Sequence, residues 1–534
     1  MKVICVYLCN YSDRKDYYIS LMPHGITSIA AYLESLSHEV ILANFSQYGY
    51  KKAVQLTLKH KPDTVAVSIF SFNRDESFKY INYLKKQNPS VKIIAGGQHP
   101  TFLHDEIARR YPAIDHIITG EGELAVSSLL EQNSSAKRIT AGERIKNLDM
   151  LPFPSLFKGL TIGVNPYEQY RYIITSRGCP NSCTYCSSPA FWKRKVTVRS
   201  SSNIISELNH LRKKFGIIYF SIRDDNFTLN KNRVLEFCRM LKESRLYMMW
   251  NCQARVDTID QEMLTAMKRA GLEHIQYGVE SGSEPVLKKY DKSITRAMII
   301  RAAAITRETG VYLSFYLMTG MHGETSEDTD ATISLIKKTL PHDSIVSPVA
   351  YYPGTSIYND ARKKGLINDR DWFDTTDSGI YLRNPAETST DIDRILHQNS
   401  LVSARAAYKS TDFNRHRQKT GENCWMTDII EGDTWQNIGK PEKAAACYQR
   451  IIFNFPLNIW GYMRMSEVVS NSQSTRLLIK ASELLPQNYE IWYRLSLSYL
   501  KSRNKNNALK AASTAFRLNP HDLDVSVLFK KLKS

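Results

Sequence analysis

Residues 170–186 read YRYIITSRGCPNSCTYC. An apolar, β-branched run passes directly into a loop that carries Cys179, Cys183 and Cys186, spaced C-x₃-C-x₂-C, with Tyr185 just before the last thiol. The run reads as a strand, and the thiols stand just past its carboxyl end. Three thiolates this close can hold three corners of a 4Fe–4S cube. The fourth iron then has no protein ligand and is free to bind and reduce a small molecule. A zinc site or chance clustering is the competing reading. Zinc knuckles usually pair C-x₂-C with a second pair or with histidines downstream, and no second pair exists here.

Downstream, strand and helix patterns alternate. IIYFSIRDDNFT, LYMMWNCQARV, HIQYGVESGS, VYLSFYLMTGMHGET and SIVSPVAYYPGTSIY read as strands with their ends, separated by helices such as KNRVLEFCRMLKES and QEMLTAMKRAG. With YRYIITS this gives six strands with crossover helices, the pattern of a partial (β/α)₆ barrel, whose reactive groups sit at strand carboxyl ends. Upstream, KVICVYL, EVILAN, TVAVSIFSF and KIIAGG are short apolar runs separated by helices, which predicts a parallel, doubly wound sheet. Ligands of such sheets bind outside the carboxyl ends of the strands. Ser68 and Ser71 lie there, as do Gly96, Gly97, Gln98 and His99, and adjacent glycines let a bulky ligand approach the backbone. The fold class expected is therefore α/β, followed by an all-α region.

That last region repeats. NIGKPEKAAACYQRIIFNFPLN matches KSRNKNNALKAASTAFRLNPHD in pattern, and Pro456, Pro486 and Pro520 recur at intervals near the period of helical-repeat proteins. Two or three such repeats stack into a short solenoid whose concave face usually grips a peptide or protein. The plainer reading is that these helices cap the barrel or dimerise.

The cysteine motif resembles that of the radical S-adenosylmethionine (SAM) enzymes over roughly residues 140 to 385. The resemblance implies a 4Fe–4S cluster on Cys179, Cys183 and Cys186, with SAM chelating the open iron and yielding a 5′-deoxyadenosyl radical. It also implies SAM contacts at Tyr185, Asp224, Asp225, Arg255, Glu280, Ser281 and Gly320. Arg255 suits the SAM carboxylate, because a guanidinium matches a carboxylate bidentately. The first sheet resembles the cobalamin-binding domain at the front of many such enzymes, which implies a Rossmann-like fold contacting cobalamin through Ser68, Ser71, Gly96, Gly97, Gln98 and His99. Cobalamin-dependent mutases ligate cobalt with the histidine of a D-x-H-x-x-G motif. Here SLMPHGITS has Met22 in place of the aspartate, so His24 reads as a turn residue before a helix. The C-terminal period resembles tetratricopeptide (TPR) repeats.

These resemblances divide the chain into a Rossmann-like cobalamin-binding domain (1–140), a linker (141–165), a radical SAM partial barrel (166–385), a helical connector (386–430) and TPR-like helical repeats (431–534). They imply a cobalamin-dependent methyltransferase that acts on an unactivated carbon through the radical and methylcobalamin. One alternative is a cyclase or rearrangement enzyme that uses cobalamin without methyl transfer. Another is an iron–sulfur sensing or scaffold protein working through its repeats. The expected partners are an unknown peptide, lipid or small natural product as substrate, a protein or peptide on the repeats, and an electron donor such as flavodoxin or ferredoxin.

Composition fits a multidomain cytoplasmic protein. The 534 residues predict about three domains. Nine cysteines without a secretory leader suit a reducing compartment, and no run reaches the ~20 apolar residues of a membrane span. The net charge of +18 is spread along the chain, and no nucleic-acid-binding pattern accompanies it, so a generally basic surface is expected and no nucleic acid.

Overall fold

A computed structural model describes residues 1–9, 20–131 and 137–533. The first sheet has seven strands: β1 (Lys2–Tyr7), β2 (Glu39–Asn44), β3 (Thr64–Ser68), β4 (Lys92–Gly96), β5 (His116–Thr119), β6 (Ile139–Ala141) and β7 (Leu160–Ile162). Their order is β6-β5-β4-β3-β1-β2-β7 and every pairing is parallel. Residues 3–7 of the central strand are at most 1% exposed, which is why VICVY is continuously apolar rather than alternating. The order reverses between β1 and β3, so the crossovers leave on opposite faces and open a crevice at the carboxyl edge.

One element differs from the sequence reading. The stretch read as a linker ends in β7, which pairs with β2, so it completes the first sheet. Three residues are too short to show a period. The segment after β4 is helical from Gln98, directly past Gly97.

The second sheet has six parallel strands in the order β15-β14-β13-β12-β11-β8. They are β8 (Tyr172–Ile173), β11 (Tyr219–Ile222), β12 (Met249–Ala254), β13 (Leu272–Glu280), β14 (Tyr312–Thr319) and β15 (Asp343–Pro348), an open (β/α)₆ arrangement. Its helices start on capping side chains: Ser200, Asn230, Asp260 and Thr295 each accept from a backbone N–H three residues on. Each cap stabilises its helix by about 1 kcal/mol. Between β8 and β11, β9 (Ser176–Arg177) and β10 (Thr197–Val198) form a short antiparallel pair.

The stretch read as a connector is part of the barrel's outer layer. The helix Pro385–Ala406 buries Ile395 and Val402 in the barrel's own core. Helices from Trp425 to Lys533 follow as antiparallel hairpins. The repeat has a local cause: Pro456, Pro486 and Pro520 are each followed two residues later by a capping side chain, Asn458, Asn488 or Asp522. A proline ends one helix and a cap starts the next.

These helices dock on the amino-terminal ends of the barrel strands. Ile218 and Met249 share a core with Trp425, Tyr448, Ile459 and Met463. Trp460 Nε1 donates to the Tyr247 carbonyl at 3.1 Å, and Asn488 Nδ2 donates to the Gly216 carbonyl at 2.8 Å. Asn488→Ala removes that bond and the cap on Ile491. The expected loss is about 2–4 kcal/mol, read as a lower thermal midpoint. An unchanged midpoint would show that the docking contributes nothing. Among the described residues no helix is long and apolar enough to cross a membrane.

Candidate functional site

The cysteine loop grows out of β9, and the β9–β10 pair closes its base. Gly178 follows Arg177 with φ +98°, and a Cβ there would collide with the Lys195 carbonyl, so only glycine makes this turn. The loop is pinned from three sides. Thr184 N–H donates to the Tyr290 carbonyl (2.9 Å), Ile357 N–H donates to the Thr184 carbonyl (3.0 Å), and Gly178 N–H donates to Asp225 Oδ2 (3.0 Å). Through the Ile357 contact the stretch PGTSIY after β15 backs the cysteine loop.

Cys183 is buried, Cys179 and Cys186 are half-buried, and all three thiols are free. The other six cysteines are buried in cores. Among the described residues no three His, Cys, Asp or Glu side chains converge as ligands of a single metal ion. Three thiolates on one short loop can each hold a different iron of a cube.

Behind Cys186 lies a buried polar knot. Glu280 Oε1 accepts from the Tyr185 hydroxyl (3.0 Å) and from Lys292 Nζ (2.7 Å), and Lys292 Nζ also reaches the Tyr185 hydroxyl (2.9 Å). A bulge between Gly278 and Glu280 gives Glu280 a φ of +69° and aims its carboxylate at the loop. Such backbone costs about 1–2 kcal/mol. Burial and the Glu280 charge push the Tyr185 hydroxyl well above its ordinary pKa, so it stays a donor.

A cleft enclosing about 1180 Å³ of empty space, its open mouth included, runs between the carboxyl edge of the first sheet and the mouth of the barrel. Ser68, Gly96, Gly97 and Gln98 line one side, with Gly25, Gly120 and Gly122; Ser176, Arg177, Arg223 and Asp225 line the other. Gly25, Gly96 and Gly120, where an added Cβ would meet nothing nearer than 3.7 Å, leave room for a large flat ligand against the backbone, which fits cobalamin. His24 opens the helix His24–Ser35 and also faces the cleft. Desolvation, with Arg177 and Arg199 nearby, pushes its pKa down to about 3, so the ring is neutral. Gly97 has φ +109°, and a Cβ there would stand 2.5 Å from the Ile69 carbonyl oxygen. Gly97→Ala is expected to cost about 1–3 kcal/mol and to weaken cobalamin binding roughly tenfold or more, measured by optical titration. Unchanged binding would remove this wall from the site.

Several expected contacts stand behind the wall. Ser71 and His99 bond to each other (3.1 Å) and are buried, and His99 packs edge-on against Trp372. Asp224, 1% exposed, is filled by Thr175 N–H (2.6 Å), Thr175 Oγ1 (2.5 Å) and Ser176 Oγ (2.6 Å), and so fastens the strand that leads into the cysteine loop. Ser281 is fully buried against Thr332. Gly320 donates to Glu324 (2.6 Å) and packs under Thr388. Arg255 already holds a carboxylate, with Nε and Nη2 each 2.9 Å from Asp257. Tyr185, Asp225 and Glu280 stand around the cysteine loop itself.

Sequence reasoning missed the three residues that join the two sheets. Arg177, in the cysteine strand, donates to Glu121 (2.8 Å) and Glu123 (2.6 Å) from the loop and helix after β5, all three being buried. The acidic TGEGE stretch and the basic residue before the first cysteine were the available signals. Arg74 makes a second join, donating to the carbonyls of Trp372 (2.6 Å), Thr375 (2.6 Å) and Asp377 (2.7 Å). One hydrophobic cluster runs from Ile4 and Val67 of the first sheet to Tyr290, Val349 and Trp372 of the barrel side.

Comparison with known proteins agrees with this layout. The model of the radical SAM superfamily matches residues 173–336, and that of the B12 binding domain matches residues 18–130. An uncharacterized methyltransferase of Pyrococcus horikoshii is 27% identical over 398 residues, covering 69% of this chain and 85% of that protein. The anaerobic magnesium-protoporphyrin IX monomethyl ester cyclase of Rubrivivax gelatinosus is 22% identical over 384 residues, covering 67% and 69%. The fold is shared with the radical S-adenosylmethionine methyltransferase TsrM of Kitasatospora setae, solved with cobalamin and a [4Fe-4S] cluster, at TM-score 0.58 and 15% identity over 84% of this chain and 99% of that one. With a cysteine triplet at the mouth of one parallel sheet and a glycine-walled edge on the other, the chain carries a radical SAM domain over residues 173–336 and a B12 binding domain over residues 18–130.

Proposed function

We propose that the protein is a cobalamin-dependent radical SAM methyltransferase acting on an unactivated carbon. The cleft between the two sheets carries this reading, because it joins the glycine wall of the first sheet to Ser176, Arg177 and Asp225 at the base of the cysteine loop. When bound, the cluster supplies the electron that cleaves SAM and cobalamin supplies the methyl group. In this reading Cys179, Cys183 and Cys186 hold the cluster, while Tyr185 and Glu280 fix its loop. Asp225 borders the SAM side, and Asp224, Arg255, Ser281 and Gly320 shape that wall through bonds to protein groups. Ser68, Gly96, Gly97 and Gln98 hold cobalamin from the opposite wall, with Ser71 and His99 supporting them. Nine cysteines and a cluster suit a reducing compartment, so we place the protein in the cytoplasm with a low-potential electron donor.

Similarity to the monomethyl ester cyclase favours a second outcome, an oxidative or ring-forming reaction in the same cleft. Anaerobic reconstitution with SAM, cobalamin and a reductant separates these readings. A product heavier by one methylene supports methyl transfer, and a mass change without it supports the second. Absence of 5′-deoxyadenosine together with absence of any modified product rejects both.

A further inference from the structure

Each of the three cluster thiols has a hydrogen-bond donor of its own. Asn181 Nδ2 lies 3.1 Å from Cys179 Sγ, Arg255 Nη1 lies 3.5 Å from Cys183 Sγ, and the Ser188 backbone N–H donates to Cys186. Two of the donors are side chains, and one carries a fixed positive charge. Arg255 is held firmly in place: Asp257 takes Nε and Nη2, the Lys292 carbonyl accepts from Nη2 at 2.7 Å, and the residue is 6% exposed. That leaves Nη1 directed at the sulfur. An arginine whose fork is closed by an aspartate is a poor receptor for a second carboxylate, so its function lies elsewhere.

We propose that Arg255, assisted by Asn181, raises the reduction potential of the cluster by N–H···S hydrogen bonding to Cys183 and Cys179, and thereby sets how readily the electron for SAM cleavage is loaded. The inference rests on the assignment of the triplet as the cluster site. Reduction adds one electron to the cluster from a one-electron donor, with no bond made or broken. The added charge spreads onto the thiolate sulfurs, and donors to those sulfurs stabilise it; hydrogen bonds to sulfur and local charge are established determinants of cluster potential. The guanidinium acts from a site of low exposure, where water screens it little. Arg255 is thus a positioning residue for the electron, and Asp257 and the Lys292 carbonyl position Arg255.

The test is a reductive titration, monitored by electron paramagnetic resonance, of reconstituted wild-type protein and the variants Arg255→Met, Arg255→Lys, Asn181→Leu and Asp257→Asn. Iron and sulfide are counted first in each. If the wild type fails to assemble a cluster, the assignment of the site fails and not the tuning. With clusters assembled, Arg255→Met is expected at a more negative potential than wild type. Asn181→Leu should show a smaller shift of the same sign, and Arg255→Lys should recover part of the shift by restoring the charge. Asp257→Asn removes a negative charge and loosens the same ion pair, so it should leave the potential at or above that of wild type. If Arg255→Met matches wild type, or Arg255→Met and Asp257→Asn shift alike, the proposal is overturned. If Arg255→Met does not assemble, Asn181→Leu and Arg255→Lys decide: both at the wild-type potential overturns it.

Discussion

Cys183→Ala is expected to leave a folded protein without a cluster and without SAM cleavage. The thiol sits in a loop, and truncating it removes little buried surface, so the cost to the fold is about 1 kcal/mol. The cost to the cluster is total, because two thiolates cannot retain a cube that already has one iron without a protein ligand. After anaerobic reconstitution, iron and sulfide should fall to background and no 5′-deoxyadenosine should form, while circular dichroism stays unchanged. Cys252→Ala is the control: that thiol is fully buried in the barrel core, so the variant should lose some stability and keep its cluster. Full iron and sulfide in Cys183→Ala would refute the triplet as the cluster site.

The second large effect is expected at Arg177→Met. The substitution strands Glu121 and Glu123 as buried carboxylates without a counter-charge, which costs about 3–5 kcal/mol. It also cuts a buried polar join between the first sheet and the strand that enters the cysteine loop, so cobalamin and SAM binding should weaken together. The pH dependence has a definite sign. Burial already raises the Glu121 pKa, and loss of Arg177 raises it further. A carboxyl whose folded-state pKa lies above its unfolded value binds more protons when folded, so the variant gains relative stability as pH falls. Calorimetry should therefore show a wide gap from wild type at neutral pH and a narrower one at mildly acidic pH. A gap that is constant or widens on acidification would exclude the buried-charge explanation.

The contrast between Cys179, Cys183 and Cys186 and the residues around them shows what a sequence carries. The triplet is local, and its spacing alone defines a chemistry. The central strand run is equally legible, because residues 3–7 are buried on both faces and therefore unbroken. Asp224 and Asp225 are adjacent in DDNFT, yet one carboxylate is consumed by Thr175 and Ser176 while the other faces the cleft. Alternation along a strand end says that they diverge, not which one faces the ligand. Arg255 presents the same difficulty, since its partner Asp257 lies only two residues away and its closing of the guanidinium fork depends on local geometry. Arg177 and Glu121 are 56 positions apart, and no periodicity connects them. The C-terminal period was visible, but which helix faces turn inward was decided by Ile218, Met249 and Tyr247 on the barrel.

Because those helices close the amino-terminal end of the barrel, the tail is not a detachable appendage. Gly216 lies so close to Gln487 that an added Cβ would collide with its carbonyl. A chain cut before Trp425 would leave Met249 and Ile218 in water, and a tail expressed alone would expose Trp460 and Ile459. Neither half is a complete folding unit, so recombination that moves this barrel into another protein must move its tail with it. The joint between the two shares no residue with the cleft lining, so changes around the cleft leave it untouched.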